Sequence, residues 1–226
     1  LLTHTPKDPA CIICAQAKLF KKQARRKDPD LSRIVTKAIH DLLWSDHLIV
    51  GRKTVSQGIS GEKVGLYITD VFTGMQDLPA LRTKTGSDTL MALSYFLGPI
   101  PAKTLYSDGS KELIYGIKHL GWNHAKTTLG ISQSNSVAER QVRDVQAGTR
   151  ALLVQAGLPA CFWCFAAPTY CFGTSTKATD GHPSAYSLRL PNEGEWPHEF
   201  IPFGSRVNFM RTKLLTKDDK PPKFAS

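Results

Sequence analysis

The sequence predicts an α/β layer fold, and two observations predict it. Short runs rich in β-branched and aromatic residues alternate with stretches of helical period along the middle of the chain. Hydrophobic residues make up 41% of the 226 residues, enough for one sizeable core with flanking pieces and too many for a disordered chain. A third observation sets the organisation around that fold. Residues 1–53 carry a net charge of +6, residues 54–204 are neutral, and residues 205–226 carry +4, within a total of +10. A balanced body with basic ends reads either as solvated tails or as arms for a polyanionic partner such as nucleic acid.

The elements follow in order. Residues 1–38 are polar and basic, with "KLFKKQARRK" at 18–27, and predict loops with a short helix. "WSDHLIVG" (44–51) predicts a strand. "EKVGLYITDVFTG" (62–74) alternates and then turns, predicting a second. "QDLPALRTK" (76–84) is a third, placed at an edge or a bulge by Pro79. "GSDTLMALSYFLG" (86–98) opens on capping residues and stops on glycine, as a helix does. "AKTLYS" (102–107) is a strand, "SKELIYGIKHLG" (110–121) a helix ending at Gly121, and "NHAKTTL" (123–129) a short strand. Ala138, Val142, Val145, Thr149, Leu152, Leu153 and Ala156 form an apolar stripe that predicts a helix over 137–156. Glu139, Arg143, Gln146 and Arg150 line a polar stripe beside it.

The longest apolar stretch, 151–173, is interrupted by Gln155, Pro159 and Pro168. It predicts two core helices split at Gly157–Pro159 rather than a membrane span. The Pro/Gly-rich stretch 180–204 predicts a loop, and "SRVNFMRTK" (205–213) a strand. The five cysteines, with no signal peptide at the start, point to a reducing compartment. The chain opens on Leu1 and stops in "PPKFAS", which reads as a piece of a longer polypeptide.

"LYSDGSKELI" (105–114) ends a strand on Asp108. Asp-Gly is a common turn pair, so Asp108 could serve only as a cap. It also stands where ligands collect in open α/β sheets, beyond the carboxyl end of a strand. Asp46 lies in the first strand and Glu139 near the start of the long helix. On its own helix Glu139 reads as half of an ordinary surface pair with Arg143. Three carboxylates that met at one sheet edge would suit a hard, oxygen-loving cation.

"LYSDGSKEL", "LGWNH" and "SQSNSVAERQVRDVQAGTRALLVQAGLPACFW", in that order, resemble the integrase core of long-terminal-repeat retrotransposons near the copia type, a piece of a Pol polyprotein. The resemblance runs over about residues 39–175. It implies an RNase H-like mixed sheet flanked by helices and an Asp–Asp–Glu metal triad, here Asp46, Asp108 and Glu139. The implied cofactor is Mg²⁺ or Mn²⁺, two ions, serving DNA 3′-end processing and strand transfer. Gln133 and Asn135 would lie in a loop before the catalytic helix, near DNA, with Arg140 and Arg143 also on the DNA side. Asp70 competes for the first position, with Asp41 behind it, although the family commonly carries a non-ligand Asp where Asp70 stands. The implied partners are double-stranded DNA and further copies of the chain, with no membrane. The implied place of action is the nucleus, and otherwise an intracellular particle or the cytoplasm.

The chain departs from the family pattern at several points. The span from Asp108 to Glu139 is shorter than usual, Gly109 stands where Asn is common, Ser136 stands where Gly is common, and "TTLGISQ" lacks the usual prolines. A decayed or domesticated copy that only binds DNA or assembles with partners is the alternative these departures raise.

His4, Cys11 and Cys14 resemble the end of the His/Cys zinc-binding segment that precedes such cores. A CxxC pair supplies two of the four ligands of a tetrahedral Zn²⁺ site, so a fourth is missing here. Free thiols are the plainer reading. "CFWC" (161–164) is a second CxxC, which reads as core packing rather than as a zinc or redox module, as does Cys171. His47 beside Asp46 and His124 after the short strand could line the site, but lone histidines are more often structural, so neither is counted as catalytic. The domain division expected is a basic N-terminal segment with a partial zinc motif (1–38), the core (39–178), and a linker leading into a basic C-terminal module (179–226).

Overall fold

The structure, a computed structural model, describes residues 8, 10–17, 36–50, 57–126, 132–179 and 181–207. The strand expected at 44–51 is β1, Leu42–Ile49, and the second is β2, Val64–Asp70. The third is broken, as Pro79 requires, into β3 (Gln76–Asp77) and β4 (Ala80–Leu81), both antiparallel to β2. Next come β5, Thr104–Ser107, and β6, Asn123–Lys126. The sheet runs β3-β2-β1-β5-β6, with β4 also on β2. β1 and β2 are antiparallel, while β1–β5 and β5–β6 are parallel. It is the mixed sheet flanked by helices that the resemblance implies.

Helix α1 is Ile12–Ala17, and α2 is Gly86–Leu97. The cap of α2 is Thr85, whose hydroxyl accepts from the Asp88 N–H at 3.3 Å, while the Asp88 carboxylate accepts from the Thr83 hydroxyl at 2.6 Å. Helix α3, Lys111–Leu120, stops at Gly121 in the left-handed conformation, φ 72°. Helix α4 is Ser132–Ala156, and α5 is Trp163–Ser175 after a 3-10 turn at Ala160–Phe162. Helix α6, Ala185–Arg189, interrupts the stretch expected to be loop. The strand expected at 205–213 is absent over 205–207, and the rest of it lies outside the described residues. Among the described residues no helix is long and apolar enough to cross a membrane.

The sheet separates two cores. Leu43, Leu66, Ile68 and Leu105 face Leu93 and Phe96 of α2 and Leu113 and Ile117 of α3. Leu48, Tyr67 and Leu78 face Val145, Leu152 and Leu153 of α4 and Trp163, Ala167 and Cys171 of α5. Alternation along β1 therefore sends odd positions to α2 and α3 and even positions to α4 and α5. Gly148 lets α4 approach α5 closely, because a Cβ there would stand 2.0 Å from the Tyr170 ring.

The chain after α5 folds back. Arg189 donates through Nη2 to the Phe96 and Leu97 carbonyls, satisfying the carbonyl end of α2, and its guanidinium lies 4.6 Å from the centre of the Phe96 ring. Phe172 packs edge to face against Tyr186, Trp196 and Phe200, its centre 5.1 Å from that of Trp196, and Tyr186 meets Trp196 the same way. Part of the stretch expected to be linker is thus stitched to the core by rings and one arginine.

Candidate active site

The register of the sheet brings the first two acids together. Trp44 of β1 pairs with Tyr106 of β5 in parallel, and their rings lie 6.4 Å apart. Two residues further along each strand path stand Asp46, still within β1, and Asp108, just past the end of β5, close enough for the charge of Asp108 to act on Asp46. On the other side of β1, Asp46 pairs with Tyr67 of β2. The face of the sheet that carries Tyr67 is covered by α4, which carries Glu139.

The charges of this cluster act on one another. Burial raises the Asp46 carboxyl above the ordinary carboxylate range, and the negative charges of Asp108 and, more weakly, Glu139 push it further up. Lys84 opposes the shift. Asp108 is exposed and accepts the Ser110 N–H at 3.0 Å, so it is also the turn residue that the Asp-Gly pair predicts. Gly109 takes φ 75°, a left-handed value that glycine adopts freely and that asparagine tolerates best among other residues. The exchange of Asn for Gly109 therefore keeps the turn. Glu139 is exposed, and its backbone carbonyl accepts from Arg143 Nε at 3.2 Å, so the surface pair expected with Arg143 is a side chain-to-backbone contact.

The donor set suits a hard cation in kind: a half-buried carboxylate raised by like charge gains when a divalent ion neutralises its neighbours. Among the described residues, however, no three side chains of His, Cys, Asp or Glu stand close enough to hold one ion. Asp46 and Asp108 are neighbours by register, and Glu139 acts on Asp46 through its field.

The rivals have other work. Asp70 is fully buried and accepts from the His40 N–H at 3.1 Å, the Thr73 N–H at 3.1 Å and the Thr73 hydroxyl at 2.7 Å. It closes the turn after β2 and fixes the entry to β1. Asp41 accepts the Lys37 and Ala38 N–H groups at 2.9 Å each and pairs with Lys103, contacts that hold its carboxyl below the usual range, the lysine contributing most. Both histidines face away from the acids. His47 Nε2 bonds the Thr89 hydroxyl of α2 at 3.0 Å, and burial lowers its pKa to about 4. His124 Nε2 bonds the Ser107 hydroxyl at 2.9 Å, on the α2–α3 face.

Gln133 and Asn135 are not in a loop: α4 starts at Ser132 and takes both into its first turn. The polar run 132–136 hides this start, since it carries no apolar period from which a helix is read. Arg140 is exposed and Arg143 half-exposed on the following turns. Cys11 and Cys14 stand at the start of α1, which packs on α4, and Cys14 is fully buried. A bond from the Cys14 backbone lowers the Cys11 thiol. His4 lies outside the described residues. Among the described residues no disulfide joins any of the five cysteines. Burial pushes up the Cys164 and Cys171 thiols, and Cys171 is completely enclosed, in keeping with packing.

Sequence reasoning missed Tyr67 and Gln141. Tyr67 is fully enclosed beside Asp46, donates its hydroxyl to Gln76 Oε1 at 2.9 Å, and has Gln141 Oε1 of α4 at 3.3 Å. This contact ties the sheet to the turn of α4 that follows Glu139. A buried tyrosine on the same strand face as a candidate acid is the signal that would have found it.

No protein-family model matches the chain, and no curated protein matches it. Among solved structures, the chain is similar to the catalytic core domain of BIV integrase, at 16% identity and a TM-score of 0.49, over 68% of this chain and 96% of that one.

Proposed function

We propose that the chain is an integrase-type polynucleotidyl transferase that processes DNA 3′ ends and joins them to a target strand. The observation that carries the reading is the juxtaposition of Asp46 and Asp108 at the ends of a parallel strand pair, within the field of Glu139 on α4. The copia-type pattern of the surrounding residues, as part of a Pol polyprotein, supports the same reading.

Asp46, Asp108 and Glu139 are the residues that would hold Mg²⁺ or Mn²⁺. When bound, such a pair of ions activates the attacking oxygen and stabilises the leaving one. The chain's own part is positional. Strand β1 fixes Asp46, the Ser110 N–H orients Asp108, and the Tyr67–Gln141 contact sets the height of α4 above the sheet. Arg140 and Arg143, with Gln133 and Asn135 a turn or two earlier, meet backbone phosphates. The basic ends add affinity that falls steeply with salt. His4, Cys11 and Cys14 would supply three ligands of a Zn²⁺ site whose fourth lies upstream in the parent polypeptide. The protein works as a homo-oligomer on double-stranded DNA in the nucleus, with residues 1–38, 39–178 and 179–226 as its three parts.

A second reading is a domain that binds DNA without chemistry. It is favoured by the lack, among the described residues, of three potential ligands close enough to share an ion. Titrating Mg²⁺ or Mn²⁺ into the purified chain while following DNA strand transfer separates the two. Metal-dependent joining that disappears in Asp108→Asn supports the first. Joining that survives Asp108→Asn rules it out. DNA binding without joining selects the second.

A further inference from the structure

A cavity of about 350 Å³ opens further along the seam between β1 and α4. That is within the range of small-molecule sites, about 300–1,000 Å³. Its walls are apolar, with Leu48, Leu78, Leu153 and Trp163 among them, and its polar groups are Gln146, Thr149 and Arg150. Leu48 lies on the same face of β1 as Asp46, two residues on, and Gln146 lies about two helical turns beyond Glu139 on α4. The cavity and the carboxylates thus share one face of the sheet and one helix.

The polar groups are placed for a particular kind of ligand. Gln146 is exposed and makes no hydrogen bond within the described chain, so its amide offers a donor and an acceptor together. The Thr149 hydroxyl donates to the Val145 carbonyl at 2.8 Å, which leaves its lone pairs to accept. Arg150 brings a cation to the wall. A flat apolar body with donor and acceptor edges, linked to an anion, matches all three features, and that is the chemistry of a nucleobase on its phosphate. A purely apolar side chain would leave the Gln146 amide without a hydrogen-bonding partner.

We propose that this cavity takes one unstacked nucleobase of a DNA strand lying along α4. Gln146 meets the base edge, Trp163 and the leucines supply the apolar wall, and Arg150 meets the adjoining phosphate. The assignment deepens the reading of the chain as a DNA-processing protein and rests on that reading for its ligand. Its test needs neither metal nor strand transfer.

The test measures binding of the 226-residue chain to a fluorescent single-stranded oligonucleotide, and to the same strand made entirely of abasic sites, in metal-free buffer. The wild-type chain is expected to bind the strand with bases at least fivefold more tightly, in line with the effect of one stacked base. Gln146→Ala and Ala160→Trp should each shrink that ratio toward one while leaving affinity for the abasic strand and its salt dependence unchanged. Ala160 is an exposed residue on the wall, so the larger side chain obstructs the cavity without entering the core. Equal affinity of the wild-type chain for the two strands overturns the proposal. So does a variant pair that weakens both strands alike, or a cavity that takes free deoxynucleoside monophosphate while strands show no dependence on bases. A base-dependent ratio in a chain inert in strand transfer leaves this inference standing and removes only the catalytic one.

Discussion

Asp46 stands beside Asp108 because Trp44 pairs in parallel with Tyr106 two residues earlier. Nothing local to either acid requires this. It follows from the register of two strands separated in the chain by β2, β3, β4 and α2. Its consequence is electrostatic, since Asp46 is raised by its own burial and by the charge of its neighbour. Two acids placed together where the strand pairing ends oppose each other's ionisation and so cost stability there.

Asp46→Asn should therefore stabilise the metal-free chain at neutral pH. The folded pKa of Asp46 is raised, so the native state holds its proton more firmly than the unfolded chain does. Stability associated with the group is present at low pH and is lost as pH rises through the folded value. The measurement is thermal unfolding with and without Mg²⁺. The wild-type chain should gain melting temperature on adding Mg²⁺, while Asp46→Asn should start higher and gain little. Equal Mg²⁺ responses would remove Asp46 from the cation site.

Asp70 and Asp108 should part company in stability. Asp70→Ala leaves the donors of His40 and Thr73 buried without an acceptor and is expected to cost about 3 kcal/mol in urea unfolding. Asp108→Asn, at an exposed turn, should stay within about 0.5 kcal/mol of wild type. The reverse order would mean that Asp70, and not Asp108, is the acid free of buried donors.

His47 should make the fold sensitive to acid. Its pKa is lowered from 6.5 to about 4, so between these values the unfolded chain binds a proton that the native chain refuses. Stability is whole above pH 6.5 and falls as pH drops toward 4, by about 3 kcal/mol at most. His47→Gln should flatten the slope of unfolding free energy against pH in that window. His40, lowered chiefly by burial too, keeps part of the slope. An unchanged slope would mean that His47 is solvated and not held against Thr89.

Gly148 should resist replacement. In an exposed helix Gly→Ala gains up to about 1 kcal/mol. Here the added Cβ would meet the Tyr170 ring at 2.0 Å, so Gly148→Ala should instead cost about 1–3 kcal/mol in denaturant unfolding. A gain in stability would mean that α4 and α5 stand further apart than described.

Much of the fold is legible in the residues themselves. Pro79 announces the break between β3 and β4, Gly121 the end of α3, and the apolar stripe from Val145 to Leu153 the buried face of α4. The start of α4 is not legible, because Ser132–Ser136 offers no apolar side chain to a periodic pattern. The packing of 181–207 is not legible either. Its prolines and glycines say loop, while the cluster of Phe172, Tyr186, Trp196 and Phe200 and the reach of Arg189 to α2 are contacts at long range. For the site, Asp46 and Asp108 are legible as acids on strands, but their adjacency is a property of register. The role of Asp70 becomes plain only once its three donors are seen around it.

The most direct test of cation capture is a crystal of the chain soaked in Mn²⁺, read in anomalous difference density. The account predicts a peak bridging the Asp46 and Asp108 carboxylates in the wild-type chain, with the Glu139 side chain turned toward it, and no peak in Asp108→Asn. Wild-type crystals with bare density between Asp46 and Asp108 at saturating Mn²⁺, or a peak that persists there in Asp108→Asn, would contradict it.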